Sequence, residues 1–324
     1  MPDALYLKDE HTNDLTLAAA VGAGEVYQLS NGRAGVIPTT QASGSLAGFQ
    51  TCGHYTVTKA ASQVWIKGAP IWWDHSANAA TCNEPIGAGD RDFYLGCAVE
   101  DAIAAATEGI VDLNAEPYYI IDSARDDGDT VIVKTVVGST TVEVPQVYNR
   151  GGMIYMQFGT TAEAQKVDWM SNRSFAIGSN WVSETVFELV TAADNAAVDV
   201  NFGVASGTNA TDFDAIAELA AFHLDGDDLV IDAQSDDGTT DTAITTTTVS
   251  IAVGTPVRFT LDGRDPTDVK YYIDGVEVNA ATSGMGVLTA ATGPLKAIIH
   301  AEKTSDDSPL AFRARTRVRT MQQD

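Results

Sequence analysis

The chain has 324 residues, enough for two domains at ~150 residues each. It carries 44 acidic against 19 basic residues, a formal net charge of −25, and such a surface repels nucleic acid and anionic membranes. Three cysteines, Cys52, Cys82 and Cys97, with no C-x-x-C pair, argue against a disulfide framework or a zinc ribbon and read as buried free thiols.

The start, MPDALYLKDEHTND, has no apolar run and carries both charge signs, so it does not read as a signal peptide. No apolar run approaches the ~20 residues that cross a bilayer. The expectation is a soluble protein made in the cytoplasm. Residues 14–17 and 25–29 alternate as strands, Ser30-Asn31-Gly32 marks a turn, and a strand follows to Ile37. Residues 44–48 read as a loop of small residues. Residues 55–74, YTVTKAASQVWIKGAPIWWD, read as two strands around a turn at Ala60-Ala61-Ser62, the second bent at Gly68-Ala69-Pro70. This stretch holds Tyr55 and three of the five tryptophans, Trp65, Trp72 and Trp73, large residues of the kind that fill a small barrel. Loops follow at 74–80 and 84–92, then a strand at 93–99. Residues 100–107 read as a short helix or a strand end. The domain boundary is expected at 112–117, where Pro117 disfavours helix.

Beyond it, a strand is expected at 118–122, a tight turn at Asp126-Asp127-Gly128-Asp129, a hairpin over 130–144 around Gly138-Ser139, and a connection at 147–152. From 153 onward, strands are expected at 153–158, 174–177, 181–190, 198–204, 220–224, 228–233, 247–251, 256–262, 268–273, 296–301 and 312–321, with a helical turn within 210–218. So many short strands predict a two-sheet jelly roll. The fold class is therefore all-β: a small N-terminal β-barrel over 1–113, a connecting β segment over 114–152, and a C-terminal jelly-roll β-sandwich over 153–324.

Two resemblances add to this reading. VTKAASQVWIKGAPIWWD, the later ATCNEPIGAGDRDFYLGCAVEDAIAA and the strand Leu95-Gly96-Cys97-Ala98-Val99 resemble a family of small phage β-barrel proteins, β-tulip-like, from structural gene clusters. Members of that family resemble capsid decoration (cement) proteins. The resemblance covers the first third of the chain. It implies a non-enzymatic virion protein, synthesised in the host cytoplasm, that binds the major capsid protein on the outer capsid surface as a homotrimer and stabilises the head. FHLDGDDLVIDAQSDDG and VRFTLDGRDPTDVKYYIDGVEVNA resemble the concanavalin-like (laminin-G-like) jelly rolls, with Tyr272-Ile273-Asp274-Gly275 ending a strand before it turns back.

Candidate sites are few. Trp65, Trp72, Trp73 and Tyr55 are candidates for a capsid or oligomer interface, because they exceed what a ~110-residue barrel needs inside. Arg313, Arg315, Arg317 and Arg319 alternate along the last strand, so all four face one way. They are either a partner-binding face or a strand face paired with acidic neighbours. Glycan attachment is a further alternative, with Trp169, Trp181, Tyr271 and Tyr272 as the aromatic platform, provided they are exposed. Glu184 and Glu188 share a strand face, as in glucan hydrolases with E-x-D-x-E, but Val186 stands where the helper carboxylate belongs. No catalytic residue is therefore assigned. The Asp clusters at 126–129, 225–228, 236–237 and 262–265 do not fit a calcium loop, and Asp also serves turns. The five histidines show no metal-ligand spacing, so no metal and no cofactor are assigned, with calcium in one Asp-rich loop of the jelly roll left as the open alternative.

Overall fold

The computed structural model describes residues 12–84, 92–123, 138, 141–143, 153–193, 197–209, 212–278, 285–304 and 308–321. It is all-β and antiparallel apart from one short parallel bridge, and it divides between Tyr118 and Tyr119 into two compact units. The turn expected at 126–129 and the first arm of the 130–144 hairpin lie outside the described residues.

The first unit contains β1 (Thr12–Thr16), β2 (Val26–Gln28), β3 (Ala34–Val36), β4 (Leu46–Gln50), β5 (His54–Thr58), β6 (Pro70–Asp74), β7 (Ala79–Thr81), β8 (Phe93–Ala98) and β9 (Glu108–Leu113). Four strands form one sheet in the order β1-β4-β3-β2 over a small core that includes Leu17, Leu29, Ile37 and Phe49. The other five run β5-β9-β8-β6-β7. That sheet closes on itself: Lys59, just past β5, bridges Ala80 of β7 in parallel, and the Ala60 N–H donates to the Ala80 carbonyl at 2.8 Å. The closed ring is the small barrel, which removes its sheet edges. Trp65, Ile71, Trp73, Phe93, Leu95 and Val111 fill it. Asn114 clasps the two sheets together. Its side chain accepts from Ala34 N–H at 2.9 Å and donates to the carbonyls of Ala34 and Thr51 at 2.9 and 2.8 Å.

Three expectations are corrected here. Residues 55–74 are not a hairpin: β5 pairs with β9, and β6 pairs with β8 and β7. The chain between β5 and β6 crosses the barrel, with Ser62 and Gly68 at φ 64° and 76°, and Trp65 bridges Ala102 on the way. Residues 46–50, half assigned to a loop, are β4. Residues 100–107 form turns, because Ala102 is held by that bridge.

The second unit contains β10 (Ile121–Asp122), β11 (Thr141–Glu143), β12 (Ile154–Phe158), β13 (Gln165–Met170), β14 (Trp181–Thr191), β15 (Val198–Ala205), β16 (Glu218–Asp225), β17 (Val230–Asp237), β18 (Asp241–Ser250), β19 (Val257–Gly263), β20 (Lys270–Ile273), β21 (Val276–Glu277), β22 (Lys296–Lys303) and β23 (Leu310–Thr320). One sheet runs β11-β12-β23-β14-β19-β20-β21, with β10 also on β23. The other runs β13-β22-β15-β16-β17-β18. The two share one core, the arrangement of a jelly-roll sandwich. Five phenylalanines join them. Phe187, Phe259 and Phe312 come from the eight-stranded sheet, Phe202 and Phe222 from the six-stranded one. Phe187 stacks on Phe202 with centroids 5.0 Å apart, and Phe259 meets Phe202 edge-on at 4.8 Å.

The turn Ile273-Asp274-Gly275-Val276, at the end of the Tyr272-Ile273-Asp274-Gly275 stretch, joins β20 to β21 with φ of 50° at Asp274 and 80° at Gly275, the type I′ geometry. The segment 114–152 is more than a connector, since β10 and β11 belong to the eight-stranded sheet. Residues 174–177 form no strand; Phe175 makes only a bridge to Leu295. The helical turn within 210–218 is a single 3-10 turn, Phe213–Ala215, capped by Asp212. The strand at 165–170 escaped the sequence reading.

Two fully buried tryptophans lie on glycines of neighbouring strands. A Cβ at Gly109 would fall 2.2 Å from the Trp65 ring, and one at Gly263 would fall 2.0 Å from the Trp181 ring. Gly109→Ala and Gly263→Ala should each cost about 1–3 kcal/mol, through overpacking that a buried indole cannot relieve. Denaturant titration of each variant measures this. An unchanged midpoint for either would show that the indole has room to move.

Candidate functional site

The face of the eight-stranded sheet turned away from the core carries the arginine row. Three of its four arginines meet carboxylates of the same unit and the fourth lies over a ring. Arg313 pairs with Glu188 at 3.3 Å, and Arg315 with Asp122 at 2.8 Å. Arg319 meets Glu184 at 2.8 Å as an ionic contact rather than a well-aligned hydrogen bond, and Arg258 donates to the same carboxylate. Arg317 lies over the Tyr119 ring, 5.0 Å from its centroid, and the Tyr119 hydroxyl donates to Glu184 at 2.9 Å. Arg313, Arg315, Arg317 and Arg319 are therefore not an open basic surface. The physical reason is register: β14 sets Glu184 opposite Arg317 and Glu188 opposite Arg313.

This arrangement commits Glu184 and Glu188 to guanidinium partners. Glu184 is 3 % exposed. Burial opposes its ionised form, but Arg258, Arg319 and Arg317 outweigh burial and hold its carboxyl well below the usual range. A general acid needs the opposite shift. The Tyr119 phenol is pushed up, by burial first and then by Glu184.

The aromatic candidates are corrected too. Trp169, Trp181 and Tyr271 lie in the sandwich core and Tyr272 is also buried, so none offers a ring to a sugar. The Tyr271 hydroxyl donates to the Gln234 carbonyl at 2.8 Å. In the barrel, Trp65 and Trp73 are interior. Trp72 is half-buried, edge-on to Tyr94 at 5.8 Å, and half-buried Tyr55 donates to Gln50. Trp65 and Trp73 are the barrel's filling, and Trp72 alone of the three keeps a partly exposed ring. The Asp clusters within the described residues cap turns: Asp265 accepts from Thr267, Asp228 from Val230 N–H, and Asp237 from the N–H groups of Thr239, Thr240 and Ala290.

The most concentrated polar arrangement lies on the outward face of the six-stranded sheet. Its registers align three rows. One row is Asp168, His300, Asn201, His223 and Asp232, on β13, β22, β15, β16 and β17 in turn. Beside it run Lys166, Glu302, Asp199 and Asp225. On the other side the face becomes apolar, with Met170, Ile298 and Ala221 covered by Phe213 and Ile216. The 3-10 turn thus roofs half the face and leaves the polar half beside it, with Phe213 5.5 Å from the His300 ring.

The polar half contains two assemblies. In the first, His300 bonds Asp168 at 2.5 Å and Glu302 at 3.2 Å, and Lys166 donates to Glu302 at 2.5 Å. Burial works against the imidazolium, but its bonds to Asp168 and Glu302 prevail and raise His300 to about 9. Burial likewise opposes ionised Glu302, while His300 and Lys166 bring its pKa down. In the second, the ligand atoms of Asp199, His223 and Asp225 lie within 4.8 Å of one another. Burial, then the carboxylates of Asp225, Glu302, Asp214 and Asp212, push Asp199 up to about 7. Burial lowers His223 and raises Asp225, Asp214 and Asp232. Sequence reading missed this convergence. The signal was His223-x-Asp225, two residues apart on one strand face, but the third group comes from β15.

Comparisons with known proteins divide along the chain. Residues 7–113 match the family model described as "Phage cement protein". No curated protein matches. Among solved structures, one titled for endo-acting O-glycanases of the human gut microbiota aligns at 13 % identity and TM-score 0.43, covering 63 % of this chain and 100 % of that one. The Emp46p carbohydrate recognition domain, potassium-bound, aligns at 14 % and 0.39, covering 61 % and 92 %. A protein of unknown function from Shewanella oneidensis MR-1 aligns at 12 % and 0.40, covering 64 % and 87 %. With identities below 25 % and TM-scores below 0.5, these likenesses say nothing of this chain's ligands.

Two outcomes follow from the charges. Glu184→Gln should cost about 3–5 kcal/mol, because it leaves Arg258 and Arg319 without their carboxylate; a stability within 1 kcal/mol of the parent would mean that water already compensates. His300 has a folded pKa above its ordinary 6.5, so its contribution is full below pH 6.5 and is lost as pH rises through about 9. The loss should be on the order of 1–3 kcal/mol. The thermal midpoint should fall across that window and His300→Gln should flatten the fall, so an equally steep profile in the variant would assign it elsewhere.

Proposed function

We propose that the chain is a phage capsid decoration (cement) protein, with the barrel-containing unit as its capsid-binding part. The match of residues 7–113 to the cement family carries this reading. On this reading the protein sits on the outer capsid surface, bound to the major capsid protein. There it bridges capsid subunits as a homotrimer and opposes internal pressure through added interface. The jelly roll is a non-enzymatic companion. The ion pairing of Glu184 and Glu188 supports that, since neither carboxylate is free to act as acid or nucleophile. Among the described residues, no helix is long and apolar enough to cross a membrane.

Trp65 and Trp73 fill the barrel and are not available to an interface, which leaves half-buried Trp72 of the three. The large apolar side chains that the first unit exposes among its described residues are Leu46, Ile103 and Tyr118. Scattered apolar residues of this kind are ordinary on a surface. Capsid contact therefore rests on shape and polar groups as much as on apolar area. Copies carrying −25 each repel one another, but salt screens that repulsion beyond ~8 Å, so a trimer held at close range keeps its mass as salt is raised.

The test combines two measurements. Electron microscopy of empty capsids mixed with the full chain should show added density at symmetry axes. Light scattering at low and high salt should give three times the 34.2 kDa chain mass in both. Undecorated capsids would end the cement reading, whereas decoration by a monomer would retain it and remove the trimer.

A further inference from the structure

The outward face of the six-stranded sheet contains an imidazole with one nitrogen committed and the other facing carboxylates. The order of commitment can be traced residue by residue. Asp214 and Gln234 line one cavity, where the carboxylate favours the nitrogen end of the amide. Gln234 Nε2 donates to Asn201 Oδ1 at 2.8 Å, which fixes the oxygen end of Asn201. The same Oδ1 lies 2.9 Å from His223 Nδ1, so the proton sits on Nδ1 and the bond runs from His223 to Asn201. Asn201 is 2 % exposed and His223 6 % exposed, so bulk water does not scramble this order.

The consequence falls on His223 Nε2. With Nδ1 protonated, Nε2 is a bare lone pair. It makes no hydrogen bond among the described residues, and Asp199 Oδ1 stands 3.8 Å away, beyond hydrogen-bond reach. Asp225 completes the set, its carboxylate within 4.8 Å of the other two ligand atoms. The Asp227 N–H reaches Asp225 Oδ1 at 3.3 Å from the side of the loop, but among the described residues no donor stands between the three converging acceptors. Burying acceptors face to face is unfavourable unless a cation or a shared proton lies among them.

We propose that Asp199, His223 and Asp225 form a binding site for a divalent transition-metal ion, with Zn²⁺ as the best-matched probe. One neutral imidazole nitrogen and two carboxylate oxygens suit zinc and its neighbours, whereas calcium takes oxygens alone. Asn201 plays the supporting part, accepting the Nδ1 proton and presenting Nε2, as an outer partner does for a metal-bound histidine. Bond lengths of about 2.0–2.2 Å bring ligand atoms to roughly 3.3 Å from one another, which the carboxylates reach by rotating about their side-chain bonds. Asp199 and Asp225 are each half-exposed, so the remaining coordination position faces solvent. The site does not depend on the capsid-binding reading, because every ligand comes from the jelly roll.

The experiment uses the full chain, stripped with a chelator and dialysed into 150 mM NaCl, which screens general attraction of cations to an acidic protein. ZnCl2, with CaCl2 in parallel, is titrated by calorimetry, and bound metal is counted after equilibrium dialysis. The expected result is one Zn²⁺ per chain, bound at least 10-fold more tightly than Ca²⁺. Asp225→Asn and His223→Gln should each weaken Zn²⁺ at least 10-fold. Asp225→Asn is the safer variant because its side chain is half-exposed, and an unchanged metal-free thermal midpoint verifies its fold. Nitrogen-15 spectra of the metal-free protein should show His223 protonated at Nδ1, with the Nε2 resonance moving when zinc is added. The absence of stoichiometric zinc would overturn the proposal. So would wild-type affinity in both Asp225→Asn and Asp199→Asn, or an Nε2 resonance that zinc leaves in place.

Discussion

The jelly roll depends on five phenylalanine rings that meet between its sheets. Phe187 and Phe312 stack at 5.2 Å, Phe187 and Phe202 at 5.0 Å, and Phe259 touches both Phe202 and Phe222 edge-on or tilted at about 5 Å. These contacts fix which residues of five strands point inward. Because a strand alternates with period two, they also fix what points outward. Each phenylalanine has a polar neighbour in sequence: Glu188 beside Phe187, Arg313 beside Phe312, Arg258 beside Phe259, Asn201 beside Phe202, His223 beside Phe222. A slip of one residue in any of these strands would exchange core and surface. The rings thus hold the two polar faces in register as firmly as they hold the core.

Those two faces resolve the same problem in opposite ways. On the eight-stranded sheet every buried carboxylate meets a guanidinium. Asp122 has Arg315, Glu188 has Arg313, and Glu184 has Arg258 and Arg319. Such pairs add little net stability against an apolar alternative, but removing one member is costly, so they resist change once formed. They also consume basic residues that are scarce in this chain, and the remaining surface is left more acidic. On the six-stranded sheet Lys166 and protonated His300 balance Glu302 and Asp168, but among the described residues no lysine or arginine pairs with Asp199 or Asp225.

Much of this was legible in the sequence where alternation was clean. The strands around Trp181, Val198, Val257 and Phe312, and the type I′ turn at Asp274-Gly275, follow from period two and turn chemistry alone. Pairing was less legible. Residues 55–74 look like a hairpin because two apolar runs flank a small-residue stretch. In the barrel each run finds a better partner far away, β9 for one and β8 for the other. Local pattern carries no information about which distant strand closes a ring. The tryptophans misled for a related reason: Gly109 and Gly263 make room for whole indoles, and that room is visible only once the strands are paired. The arginine row was read correctly as one face, but its acidic partners come from β14 and from β10, up to 193 residues away.

Glu184 and Asp199 together show why composition alone assigns no chemistry. Both are acidic residues on outward strand faces, and burial opposes ionisation in both. Around Glu184, guanidinium groups and a tyrosine hydroxyl more than offset that penalty, so the carboxylate is ionised, saturated and closed to any further partner. Around Asp199 the neighbours are carboxylates, and their repulsion adds to the penalty instead of relieving it. A saturated site answers to folding alone. An unsaturated one stores an electrostatic cost that a bound cation would release, and that difference is set by which strands β14 and β15 lie beside.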